Sequence, residues 1–166
     1  VVSAGAITYA DDINDIADAT TGKPLVRLVQ TVAQSIPDAT LTALTFSGED
    51  IDTHGFHDTG SNTARITPTM AGYYRFTGTY FTAAPTTLAN MDASLRKNGS
   101  TSIAPGPRGS ATGNIAQSQS CTAMVSCNGT TDYVELLAFQ DSTGAVNSNV
   151  SQRFSSVFEC EFIRPL

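Results

Sequence analysis

The chain has 166 residues, of which 40% are hydrophobic and only 14% charged, with a formal net charge of −6. That length supports one domain with its own core. The charge balance excludes the usual nucleic-acid and anionic-membrane binders, which cluster Lys and Arg: here the nine basic residues are scattered, and Arg96-Lys97 is the only adjacent pair.

Ser, Thr, Asn, Gly and Ala fill the place of the missing charges. Eight Phe and five Tyr at strand spacing point to a folded β domain rather than a disordered chain. No apolar run approaches the roughly eighteen residues of a membrane span, so no membrane insertion is expected.

Residues 1–24 differ from the rest and are expected to form an arm. Ala10 to Ala19 carries the only helical pattern, with Ile13, Ile16 and Ala17 on one stripe and Thr8 or Asp11 as a cap. About three turns are marginal alone, so the stripe is expected to dock as an anchor. Thr21-Gly22-Lys23-Pro24 stops the helix.

From Leu25 to Leu166 the period is two, giving one domain over 25–166. Strands are expected at 25–30, 41–46, 64–69, 72–81, 92–97, 115–125, 133–139 and 154–163. In the fourth, Tyr74, Phe76, Gly78 and Tyr80 share one face. Asn98-Gly99 and Asn128-Gly129 are hairpin-turn signals. Residues 36–38 read as a turn, and 101–113 and 141–151 as loops. Eight or so strands at this spacing suggest an antiparallel sandwich or jelly roll. Tyr74, Phe76, Leu95, Leu136, Phe158 and Phe162 are the expected core.

Cys121 and Cys127 are six residues apart and fall on one face of a strand, while Cys160 alternates with Phe158 and Phe162. Three small hydrophobic thiols in a core is the simplest reading, and one disulfide stays open.

In order along the chain come Ala43-Leu-Thr-Phe46, Gly55-Phe-His-Asp58, Arg65-Ile-Thr-Pro-Thr-Met-Ala-Gly-Tyr-Tyr74, Leu95-Arg-Lys-Asn-Gly99 and Phe154-Ser-Ser-Val-Phe158. This series resembles the complement/tumour-necrosis-factor-like superfamily over residues 41–163. The resemblance implies an all-β, antiparallel jelly roll (TNF-like) that closes into a homotrimer, here preceded by a short N-terminal helical arm.

Ala6 to Ile16, and Gln30 to Pro37 after it, resemble the openings of small structural proteins of tailed bacteriophages. That likeness implies a knob on the exterior of a virion, made in the host bacterial cytoplasm. The arm would attach it to major capsid or tail proteins. A soluble module that recognises a host receptor or glycan is the alternative.

Asp50, Asp52, His54, His57 and Asp58 are the densest set of candidate metal ligands. No calcium-loop pattern fits them, and a hydrogen-bonded loop is the stronger reading, so no metal or cofactor is expected. There is no Gly-x-Ser-x-Gly elbow, and both histidines share one loop. Glu135, Glu159 and Glu161 fall where strands should point outward, which leaves no carboxylate pair for glycoside cleavage. An enzyme is therefore not expected.

Tyr133, Leu137 and Phe139 lie on the face opposite the expected core and are the candidate trimer contacts. The loops 50–62 and 103–114 would meet solvent or host glycans.

Overall fold

A computed structural model describes residues 22–83, 90–106, 109, 116–151 and 153–166. Every regular element among them is a strand: β1 Leu25–Val29, β2 Ser35–Ile36, β3 Thr42–Ala43, β4 Gly48–Asp52, β5 Arg65–Ile66 and β6 Ala71–Phe81 come first. There follow β7 Met91–Lys97, β8 Thr101–Pro105, β9 Ser118–Asn128, β10 Val134–Gln140, β11 Val146–Asn147 and β12 Val157–Pro165. The expected helix, with Ile13, Ile16 and Ala17, lies outside the described residues.

The first sheet has the order β4-β1-β12-β6-β9 and the second β3-β10-β7-β8, with β5 also on β10; β2 and β11 form a separate pair. All named pairings are antiparallel. The fold is an antiparallel jelly roll, as the alternation and turn spacing led one to expect.

Strand alternation explains how the two sheets close on each other. Val26, Leu28, Tyr74, Phe76, Tyr80, Phe158, Cys160 and Phe162 face inward from the first sheet. Leu95, Val134, Leu136 and Ala138 meet them from the second. The six expected core residues are all buried.

A run of rings forms the centre. Phe46 stands 5.9 Å from Phe158, Phe158 6.0 Å from Phe76, Phe76 6.3 Å from Tyr74, and Tyr74 5.3 Å from Phe162. Each such pair contributes about 0.5–1.5 kcal/mol beyond its burial. Gly78 occupies the inward row of β6 because Leu136 of the other sheet comes down on it. A Cβ there would clash with the Leu136 side chain.

Several boundaries differ from the sequence expectation. The segment 101–113, expected as a loop, begins with β8, which pairs with β7 across the Asn98-Gly99 hairpin. Both hairpin residues have positive φ, 54° and 73°, the backbone that Asn-Gly supplies most readily. Residues 36–38 and 141–151, expected as a turn and a loop, contribute to the small β2–β11 ladder.

Asn128-Gly129 is not a hairpin. It carries the chain from β9 in the first sheet to β10 in the second. The Asn128 Oδ1 accepts the backbone N–H groups of Thr130, Thr131 and Asp132 at 2.9–3.1 Å, turning the corner locally.

Candidate functional site

The Asp/His segment is built as follows. Asp50 and Asp52 are on β4 rather than in a loop. Asp50 faces out and accepts from Arg27 Nε at 3.1 Å. Asp52 turns the other way, and its carboxylate accepts the backbone N–H groups of His54, Phe56 and His57 at 3.3, 3.0 and 2.9 Å.

The His57 ring sits between two strand-flanking carbonyls, with Nδ1 2.8 Å from the Arg65 oxygen and Nε2 3.1 Å from the Phe46 oxygen. His54 Nδ1 lies 2.8 Å from the Thr53 hydroxyl. Asp58 caps its own turn by accepting from Gly60 and Ser61. All five candidate ligands are thus engaged within the chain, and four of them bond the segment 53–65 that they build. Among the described residues no group of three or more His, Cys, Asp or Glu is placed to hold a metal ion.

The three cysteines are free and buried. Burial pushes the Cys121 thiol up to about 12, and the Cys127 thiol up to about 11 against a smaller opposing pull from Lys97. Burial raises Cys160 well above the usual thiol range. Such thiols do not serve as nucleophiles at neutral pH.

The outer face of the second sheet departs from expectation. Leu137, expected as an exposed contact, is 4% exposed within the single chain. Phe139 is half-buried, and Tyr133 carries the Arg65 guanidinium 3.9 Å from its ring centroid. Glu135, expected to point freely outward, is 5% exposed. It lies between strands in one cross-strand row, opposite Arg65 on β5 and Arg96 on β7. Arg96 donates to its Oε2 from Nε at 3.0 Å and keeps Nη2 2.9 Å from the same oxygen, while Arg65 Nε stays 3.7 Å from Oε1.

Three exposed apolar side chains instead share the first sheet. Its outer face carries Leu25, Ile51 and Met124, the last 65% exposed. Register places Leu25, Glu161, Arg75 and Met124 in one row across β1, β12, β6 and β9. The next row holds Ile51, Arg27, Glu159, Thr77 and Thr122.

Arg75 pairs with Glu161 at 2.6 Å, Arg27 pairs with Glu159, and Thr77 meets the Thr122 hydroxyl at 3.2 Å. A depression of about 300 Å³ opens beside Leu25, Ile51 and Arg75. Sequence reasoning passed over this face because Met124 and Ile51 stand among polar residues in strands whose partners the sequence does not name.

No protein-family model matches the chain, and no curated protein matches its sequence. Solved structures match its fold. The globular domain of zebrafish complement 1qA superposes with a TM-score of 0.64 at 14% identity, covering 87% of this chain and 100% of that one. Murine APRIL gives 0.60 at 9% identity over 84% of this chain and 99% of its own. Eiger TNF from S. frugiperda gives 0.60 at 10% identity over 87% and 96%. At these identities the likeness is one of fold: the described chain is a jelly roll of the complement 1q and tumour-necrosis-factor type.

Proposed function

We propose that the chain is a homotrimeric jelly-roll knob that works by presenting its surface. It is mounted through residues 1–24 on the exterior of a tailed-phage particle, at the capsid or the tail. The observation that carries the assembly is the outer face of the first sheet, where Met124, Leu25 and Ile51 are exposed beside the Arg75–Glu161 and Arg27–Glu159 pairs. A patch of this composition gains by being covered, and its paired charges can re-pair across an interface. The expected contacts Tyr133 and Phe139 are less available, and Leu137 is already covered.

Support for threefold closure and for the phage mount comes from the sequence likenesses at 41–163, 6–16 and 30–37. Light scattering on the purified chain is expected to give three times 17.4 kDa. Met124→Glu combined with Ile51→Glu is expected to give a folded single chain, and a single-chain mass for the unaltered protein would refute the assembly. Removing residues 1–21 should leave the trimer intact but unable to attach to particles; continued attachment would refute the mount. A soluble recognition module is a second reading, favoured by the two partly exposed arginines that flank Glu135.

A further inference from the structure

We propose that the Arg65–Glu135–Arg96 row is a binding site for a single oxyanion group, a carboxylate or a sulfate, carried on an otherwise neutral polyhydroxylated ligand such as a saccharide. The proposal goes beyond assembly and mounting and does not depend on either.

The starting point is a charge imbalance. Glu135 is 5% exposed and needs a cation, since a buried lone carboxylate is costly. Arg96 already meets that need through a hydrogen bond from Nε and an ion-pair contact from Nη2, both to Oε2. Arg65 is in surplus: its Nε approaches Glu135 only to 3.7 Å, beyond hydrogen-bond range.

Two guanidinium groups against one carboxylate leave a unit positive charge on this row. The nearest other cation on β7, Lys97, is consumed by Asp132 at 2.8 Å and by the Ser126 carbonyl at 2.7 Å. It adds nothing to the imbalance.

The second point is pre-organisation. Arg96 is fixed by its fork on Glu135, and Arg65 by stacking on the Tyr133 ring. Both side chains keep part of their surface in solvent, 29% for Arg96 and 35% for Arg65. Each guanidinium has five N–H donors in a planar fork, and most of those on Arg65 meet no acceptor among the described residues. Donors held in place before the ligand arrives lose little freedom on binding it.

The third point selects the ligand. A chain of net charge −6 repels a polyanion over its whole surface, while one isolated positive site still attracts one negative group. Ser102, opposite Arg96 in the β7–β8 register and exposed, offers a hydroxyl to a neutral neighbouring group.

The test uses the full chain and three probes: glucuronate for the carboxylate, glucose 6-sulfate for the sulfate and glucose as the neutral control. Each is titrated at millimolar concentration while the arginine Nε–H signals are followed by NMR. Glucuronate, glucose 6-sulfate or both should shift the Arg65 and Arg96 signals, and glucose should not. The arm that shifts them more identifies the oxyanion.

Arg65→Gln leaves Arg96 to neutralise Glu135, so the fold is retained, and binding should fall about tenfold or more with loss of the charge-assisted bonds. Arg153→Gln, exposed on the connection before β12, should leave binding unchanged. Equal binding by Arg65→Gln, equal shifts with glucose, or no shift with either anion would each overturn the proposal. Light scattering on the same samples reads assembly separately.

Discussion

Two positions on the inward face of β6 answer to different physics. At Gly78 the constraint is space, because Leu136 fills the volume a side chain would need. Gly78→Val is expected to cost about 1–3 kcal/mol by overpacking, seen as a lower urea midpoint with unchanged slope. At Tyr80 the constraint is polarity.

The Tyr80 ring is fully buried, and its hydroxyl meets no hydrogen-bond partner among the described residues. Burial alone raises its ionisation well above the usual phenol range. Tyr80→Phe removes a desolvated hydroxyl and keeps the ring, so it should be neutral or stabilising by up to about 1 kcal/mol. A clear loss of thermal midpoint would mean that the hydroxyl has a role. Neighbouring Tyr74 is the contrast: its hydroxyl donates to the Met70 carbonyl at 2.8 Å, so Tyr74→Phe should cost stability.

At the scale of elements, one carboxylate gathers bonds from both the β7–β8 hairpin and the corner between β9 and β10. Asp132 accepts from the Asn98 amide at 2.8 Å, from the Lys97 ammonium at 2.8 Å and from the Asn128 backbone at 2.9 Å. The Asn98 hydrogen bond, then that of Lys97, holds its carboxyl below the ordinary value of 3.8. A lowered value means that the folded chain favours the charged form. The contribution is therefore complete above the unfolded value and is lost as pH falls through the folded one. Asn98→Ala should shrink that acid-side loss, measured as the difference in urea midpoint above and below the ordinary carboxylate range.

This corner also marks what was legible in the sequence. Asn-Gly announced a turn at both sites, but a turn signal does not say whether the next strand joins the same sheet. The alternation in β6 was fully legible because an inward aromatic row has only one solution. Two-residue strands such as β2, β3, β5 and β11 are too short for a period to emerge.

The outer-face site was harder still. Register, which the sequence does not contain, brings Arg65 and Arg96 to Glu135 from 70 and 39 positions away. The five Asp/His candidates are close in the sequence, but the fold turns Asp50 to Arg27 and the other four to groups of the segment 53–65, partners that spacing alone does not name.

For the whole molecule, the buried thiols set an alkaline limit. Cys121 and Cys127 rise from 9.0 to about 12 and about 11, chiefly by burial. Raised values favour the neutral form in the fold. Their contribution is present below 9.0 and is lost as pH rises through that window toward 11 and 12. Thermal midpoints should hold up to about the ordinary thiol range and fall beyond it. A thiol reagent at mildly alkaline pH should find no reactive group in the native chain and all three after unfolding. Reaction of any of the three in the native state would contradict this description of the core.

The antiparallel pairing of β1 with β12 fixes the polarity of the domain. The Phe162 N–H donates to the Pro24 carbonyl at 3.0 Å, so chain entry and chain exit share one end of the sandwich. Thr53 bonds Leu25 there too, which puts the start of the Asp/His segment beside the root of the proposed N-terminal arm. A knob tethered by that arm would turn the Asp/His segment toward its support. The connections that follow Val29 and Gln140 then lie at the far pole. A peptide tag joined after Leu166 would sit at the base, whereas one inserted between Gln140 and Val146 would ride at the tip.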